Sequence, residues 1–264
     1  MSKTSRRSSG KAGLNQRIVL CTGDKGGVGK SIVARFLLNM YLANDIDVLA
    51  YDCDPHNPQL WRHYNRVVPG GVKTIKFNQR GVRDVLQNDL STLAPVVALM
   101  DLPSGVGEYF RDFVQDITDA DLGYRITMVS VLGRGKESII QLKRLMEFCG
   151  NQVDYVVVRN LYWSEDEEDE KAFSKYNESK TRQSVLELGA IELNFRRLFE
   201  WVYDKIDELD ASFTEAVNYD INKIGIANKS RLSTWIPKQE LEMMKGGSFL
   251  GLSGAKTRVE DNSM

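Results

Sequence analysis

The sequence predicts an α/β fold: a mostly parallel, twisted sheet with helices on both faces. Short runs rich in Val, Ile, Leu and Met recur at 17–22, 46–52, 72–77, 95–101, 124–132 and 153–160. Helix-like stretches lie between them, notably at 30–44, 106–119 and 135–149, and in the last of these Ile139, Leu142, Leu145, Met146 and Cys149 share one face. Strands that alternate with amphipathic helices imply parallel pairing with both sheet faces covered, and ligands at the carboxyl ends of the strands.

The first strand runs straight into GDKGGVGKS at 23–31, which matches GxxxxGK[ST] with Gly23, Gly29, Lys30 and Ser31 in the required places. A loop that wraps phosphates must point its backbone N–H groups inward, and a Cβ would obstruct both the turn and the close approach. The following helix adds unpaired N–H groups and a partial positive charge. The nucleotide-binding candidates are therefore Gly26, Gly27, Val28, Gly29, Lys30, Ser31 and Ile32. Lys30 is expected at the β and γ phosphates, and the Ser31 hydroxyl at a Mg²⁺ ion.

The second strand ends in YDCDPHNP, which leaves Asp52 and Asp54 beside the phosphate loop, where a carboxylate orients the attacking water or holds a metal-bound one, or simply caps a turn. The fourth strand ends in PVVALMDLPSG. Its apolar run closing on Asp101 reads as a Walker B element, so Asp101 joins Ser31 as the metal candidate. The sixth, YVVVRNLYW, places Asn160 at its end, as a turn residue or as one whose paired donor and acceptor read a base.

One feature narrows the motif. Lys25 adds a second lysine inside the loop, and the string KGGVGKS resembles the deviant Walker A box of the ParA/MinD family of dimeric ATPases. The resemblance spans about residues 17–160 and implies ATP and Mg²⁺ as cofactors. It also implies a homodimer closed by ATP, with Lys25 touching the partner subunit's nucleotide. By the same resemblance Asp54 positions the hydrolytic water, Asp52, Asp54, Pro103 and Gly105 form the switches, and Asn160 recognises adenine. Lys25, Lys30 and Asp54 are then the catalytic candidates. Two departures stand out: His56 replaces the common Gln, and Ile32 lacks the hydroxyl that a second Thr would offer, a loss of about 1 kcal/mol of hydrogen bonding.

The implied function is a slow, partner-stimulated ATPase switch that partitions or positions DNA or other cargo, working with a protein stimulator or cargo adaptor. A scaffold that binds nucleotide and a protein partner with little hydrolysis is the alternative. An electron carrier bridging a cluster would need cysteines that the chain lacks between Cys53 and Cys149, and a tyrosine autokinase would need a late tyrosine cluster, whereas the last tyrosine is Tyr219.

At 264 residues, 42% hydrophobic and 27% charged, the composition is that of an ordinary globular chain with a net charge of −1. Residues 1–16 are expected as a disordered basic tail, 17–244 as one ATPase domain, and 245–264 as a loosely ordered tail. The acidic, polar stretch 161–183 predicts an exposed loop with at most one helix. A short strand at 189–195 and helices at 197–209 and 222–235 follow. Lys223, Lys229, Arg231 and Lys238 are candidate contacts for non-specific DNA or else ordinary solvated cations. Three scattered cysteines give no disulfide or zinc pattern. The absence of a long apolar run, together with a polar chain end, disfavours a membrane anchor and gives a cytoplasmic expectation.

Overall fold

The computed structural model describes residues 16–23, 26–77, 81–105, 107–164 and 169–255. Each predicted apolar run forms a strand: β1 (Arg17–Thr22), β2 (Val48–Asp52), β3 (Lys73–Thr74), β4 (Val97–Asp101), β5 (Arg125–Leu132), β6 (Asp154–Asn160) and β7 (Ile191–Phe195). They make one seven-stranded sheet in the order β3-β2-β4-β1-β5-β6-β7 with every pairing parallel. The chain goes out to β2 and β3, returns to place β4 beside β1, and then adds β5, β6 and β7 on the other side, so the switch in topology where such sheets bind ligands lies at β1.

Helices α1 (Lys30–Ala43), α2 (Gln59–Tyr64), α3 (Val82–Leu93), α4 (Gly107–Asp119) and α5 (Lys136–Cys149) connect the first six strands. Alternation along β1 divides the core. Val19 and Cys21 face a cluster built with α1 and the C-terminal helices, while Ile18 and Leu20 face α3, α4 and α5. Helix α1 is buried over ten of its residues, Arg35 included, because it lies between the sheet and a second layer of helices.

The stretch expected as an exposed loop is instead a packed helical segment. It contains α6 (Asp169–Ala172), α7 (Ser174–Asn177) and α8 (Lys180–Glu187), and Phe173, Tyr176 and Val185 are buried against the α5 side of the sheet. Residues 165–168, the centre of the acidic run, lie outside the described residues.

Beyond β7 come α9 (Glu200–Glu208), α10 (Phe213–Asn218), α11 (Ile221–Ile224) and α12 (Ile226–Met244). The helix expected to end at 235 continues through Pro237 for two further turns. A proline inside a helix forfeits a backbone hydrogen bond and costs about 3 kcal/mol. Here Ile236, Gln239, Glu240, Glu242 and Met243 are all buried around it, which offsets that cost. Gln239 and Glu242 also serve the sheet. Glu242 Oε1 accepts from the backbone N–H of Asn194 and Gln239 Oε1 from that of Arg196, while Gln239 Nε2 donates to the Asn194 carbonyl. The outer edge of β7 is thereby closed by side chains.

The segment after Lys245 is likewise not loose. A 3₁₀ turn, Gly247–Leu250, brings Leu250 and Leu252 to full burial, and the Tyr41 hydroxyl donates to the Leu250 carbonyl at 2.7 Å. Residues 1–15 and 256–264 lie outside the described residues. No helix among the described residues is long and apolar enough to cross a membrane.

Candidate nucleotide-binding site

The phosphate loop is built by glycine at the positions where nothing else fits. Gly27 and Gly29 take φ values of 89° and 96°, the left-handed region that L side chains avoid. A Cβ on Gly29 would stand 2.3 Å from Asn160 Nδ2, so the last strand of the site closes directly onto the loop. Asn160 Nδ2 donates to the Val28 carbonyl at 2.8 Å, and its Oδ1 accepts from the Tyr162 N–H at 3.1 Å. One end of the predicted base reader thus holds the phosphate loop and the other holds the turn after β6. Lys25 lies outside the described residues.

Lys30 begins α1 and is buried, and Ser31 follows it. Facing them, Asp101 ends β4 and is 1% exposed, and the Lys30 ammonium and the Ser31 hydroxyl are the favourable groups that act on its carboxylate. Burial pushes its carboxyl up to about 7, against the pull of the Lys30 ammonium and the Ser31 hydroxyl. A buried carboxylate served by so few donors costs several kcal/mol unless a further cation meets it, so this residue fits a metal ligand.

Asp52 is bonded on both oxygens. Its Oδ1 accepts from the Asp54 N–H at 3.1 Å and its Oδ2 from the Trp61 N–H at 2.9 Å, so it ties the end of β2 to α2. Burial raises its pKa despite these bonds. Asp54 is half-buried and turns into a cavity of about 310 Å³ above the loop.

That cavity gathers Gly26, Gly27, Gly29, Lys30, Ser31, Ile32, Asp54 and Asn160. Val28, Asp52, Asp101, Pro103 and Gly105 do not line it, although Ser104, between the last two, does. Four lining residues, Asn57, Gln59, Tyr162 and Tyr203, escape the sequence reading. Asn57 and Tyr162 flank motifs that the sequence exposes, whereas Tyr203 arrives from α9, more than 150 residues downstream of the loop, with no local signal. Of the four cationic DNA candidates, Lys223 packs on the Tyr219 ring and Lys229 donates to the Tyr219 carbonyl, while Arg231 and Lys238 line a separate groove.

A glycine loop after the central strand, Lys and Ser opening the next helix, and an acidic strand end opposite them form a P-loop site. The fold of the whole chain agrees. It superposes on MinD in the MinC:MinD cell division protein complex from Aquifex aeolicus with a TM-score of 0.50 and 16% identity, covering 83% of this chain and 96% of that one. The chain shares the fold of MinD.

In sequence it is similar to Protein MobD of Acidithiobacillus ferrooxidans, at 28% identity over 226 residues, or 84% of this chain and 94% of the relative. A putative plasmid partition protein from Borrelia burgdorferi bound to AMPPNP superposes with a TM-score of 0.48 and 14% identity, over 85% of this chain and 99% of that one. No protein-family profile matches the sequence. The ends of β1, β2 and β4 lie side by side, with Cys21 opposite Asp101 and Asp52 opposite Asp101.

A second polar cluster lies one turn behind the loop. Arg35, fully buried on α1, has Nη2 3.2 Å from His63 Nδ1, and Nη1 3.4 Å from the hydroxyl of the cavity residue Tyr203. His63 Nε2 lies 3.2 Å from Asp207 Oδ1. His63 Nδ1 also lies 3.0 Å from the Ala211 carbonyl oxygen, so the ring sits among Arg35, Ala211 and Asp207. Burial and the Arg35 charge lower the His63 pKa to about 4.

Proposed function

We propose that the chain is a Mg²⁺-dependent ATPase switch of the ParA/MinD type. ATP occupies the cavity above the loop, closes a homodimer, and is hydrolysed to ADP and phosphate to release it. The buried Asp101 carboxylate facing Lys30 and Ser31 carries this reading. With the Ser31 hydroxyl it would hold Mg²⁺, the remaining ligands being phosphate oxygens and water. Bound Mg²⁺ would neutralise charge on the phosphates. Lys30 would cradle them, Asp54 would orient water, and Lys25 would reach the partner's nucleotide. Adenine selection falls to the Asn160–Tyr162 corner and Tyr203. The dimer state recruits DNA or another cargo through a protein partner in the cytoplasm, and that partner accelerates a slow turnover.

A second reading, a nucleotide-dependent scaffold with little hydrolysis, is favoured by Ile32, which lines the cavity without a hydroxyl. Light scattering with ATP, ADP or no nucleotide, paired with phosphate release, separates the two. The switch requires an ATP-dependent dimer that persists in Asp54→Ala and turns over in the wild type. A dimer without turnover, with or without DNA, favours the scaffold, and no response to ATP removes both.

A further inference from the structure

The largest groove among the described cavities lies away from the phosphate loop. It has a volume of about 750 Å³ and runs between the segment joining β7 to α9 and the outer face of α12. Four cationic side chains line it, Arg196, Arg197, Arg231 and Lys238, and none of the described lining residues is acidic. None of the four is in an ion pair among the described residues. On α12, Arg231 and Lys238 are seven residues apart, two turns along one helix face.

Beside these charges stands an aromatic pair. Phe199 and Trp201 stack with ring centroids 4.8 Å apart and planes 23° apart, yet are 44% and 52% exposed. Arg231 holds its guanidinium 5.4 Å from both centroids, so charge and stacking surface form one unit.

The floor is rigid. The buried Trp235 indole donates to the Arg196 carbonyl, and the buried Gln239 side chain accepts from the Arg196 N–H. The carboxylates of Glu200 and Asp204 act on Tyr162, at the nucleotide side of α9, and the Arg197 guanidinium at the end of the groove acts on it too.

We propose that this groove binds single-stranded nucleic acid, with bases stacked on Phe199 and Trp201 and phosphates held by Arg196, Arg197, Arg231 and Lys238. Unpaired cations select a polyanion, and two exposed stacked rings select one with free π faces. A duplex hides its bases, and an acidic peptide would leave the rings unused. Cations with aromatic platforms are how single strands are bound without sequence preference. The site stands apart from ATP hydrolysis and holds whether or not the chain turns over nucleotide.

The test is fluorescence anisotropy of the full-length protein with a labelled oligothymidylate of about 20 nucleotides, longer than known single-strand sites, against a duplex of equal length. Single strand is expected to bind more tightly. Phe199→Ala and Trp201→Ala should each weaken it roughly 5- to 150-fold, the range for one lost base stack, and the double variant by more. Arg231→Ala and Lys238→Ala should each lower the salt slope by about 0.7. Both rings are half exposed, so the double variant should keep the wild-type melting temperature and ATP affinity. Equal duplex affinity with no effect of the ring truncations would overturn the proposal in favour of a phosphate-only surface. No oligonucleotide binding at low salt would also overturn it, and displacement of a dye from the groove by polyglutamate would then assign the groove to an acidic protein.

Discussion

Asn160 Nδ2 donates to the Val28 carbonyl across 132 residues of sequence, fastening the end of β6 to the phosphate loop. The same nitrogen is what a Cβ on Gly29 would strike at 2.3 Å. Loop shape and strand end are therefore one unit. Gly29→Ala, strained by its φ of 96° as well as by that clash, should abolish nucleotide binding. Asn160→Ala should weaken it about tenfold, the worth of one hydrogen bond that orders the loop. Isothermal titration with ATP checks both, and an unchanged affinity in Asn160→Ala would show that the loop holds its shape alone.

Asp101 is buried facing Lys30 and Ser31, whose ammonium and hydroxyl are the favourable groups that act on it. Asp101→Asn removes a buried charge served by few donors. Nucleotide affinity in the variant should lose its dependence on Mg²⁺ while the melting temperature without ligand holds or rises. A fall of several degrees would instead mean that the carboxylate supports the fold.

His63 is fully buried between Arg35 and Asp207, with Arg62 also near, and stays neutral down to about pH 4. Unfolded, it protonates near pH 6.5. Between those values the unfolded chain binds the extra proton, so stability falls as pH drops from 6.5 to 4 and levels below. The loss from this residue is roughly 3 kcal/mol at most, at about 1.4 kcal/mol per pH unit. Urea unfolding at pH 7 and pH 5 should show it, and His63→Gln should flatten that part of the slope. An equal slope in the variant would assign it to carboxylates elsewhere.

The strands and the loop were legible because their signals are local. β1 and β4 are unbroken apolar runs ending at Thr22 and Asp101, and the loop carries its glycines and lysines in one string. What stayed hidden is tertiary. Helix α3 buries only Val82, Leu86 and Leu90, one residue per turn, too thin a stripe to announce itself in the sequence. Pro237 reads as a helix stop, and only the burial of the residues around it carries α12 past that point. Tyr203 enters the cavity because α9 packs beside α1, where Arg35 lies 5.5 Å from its ring. For Asn160 the residue type and place were legible, but not that its amide is spent on the loop.

The segment after Met244 shows the same limit and offers the sharpest test. Its glycines and serines suggest a loose end, yet Leu250 and Leu252 are fully buried, and Phe249 gives its carbonyl to the Thr127 hydroxyl at 2.5 Å. Tyr41 on α1 reaches the neighbouring carbonyl of Leu250, so the segment bridges the phosphate-loop helix and β5. Leu250→Ala removes a buried side chain from a packed site and should cost about 2–5 kcal/mol in chemical denaturation. Tyr41→Phe keeps the ring and drops one hydrogen bond, which should cost about 1 kcal/mol or somewhat more where the carbonyl is left unsatisfied. A chain ending at 246 loses both contacts and should unfold at markedly lower denaturant. If that truncation were as stable as the full chain, the burial of Leu250 and Leu252 would contribute nothing to folding, and the segment would be an appendage after all.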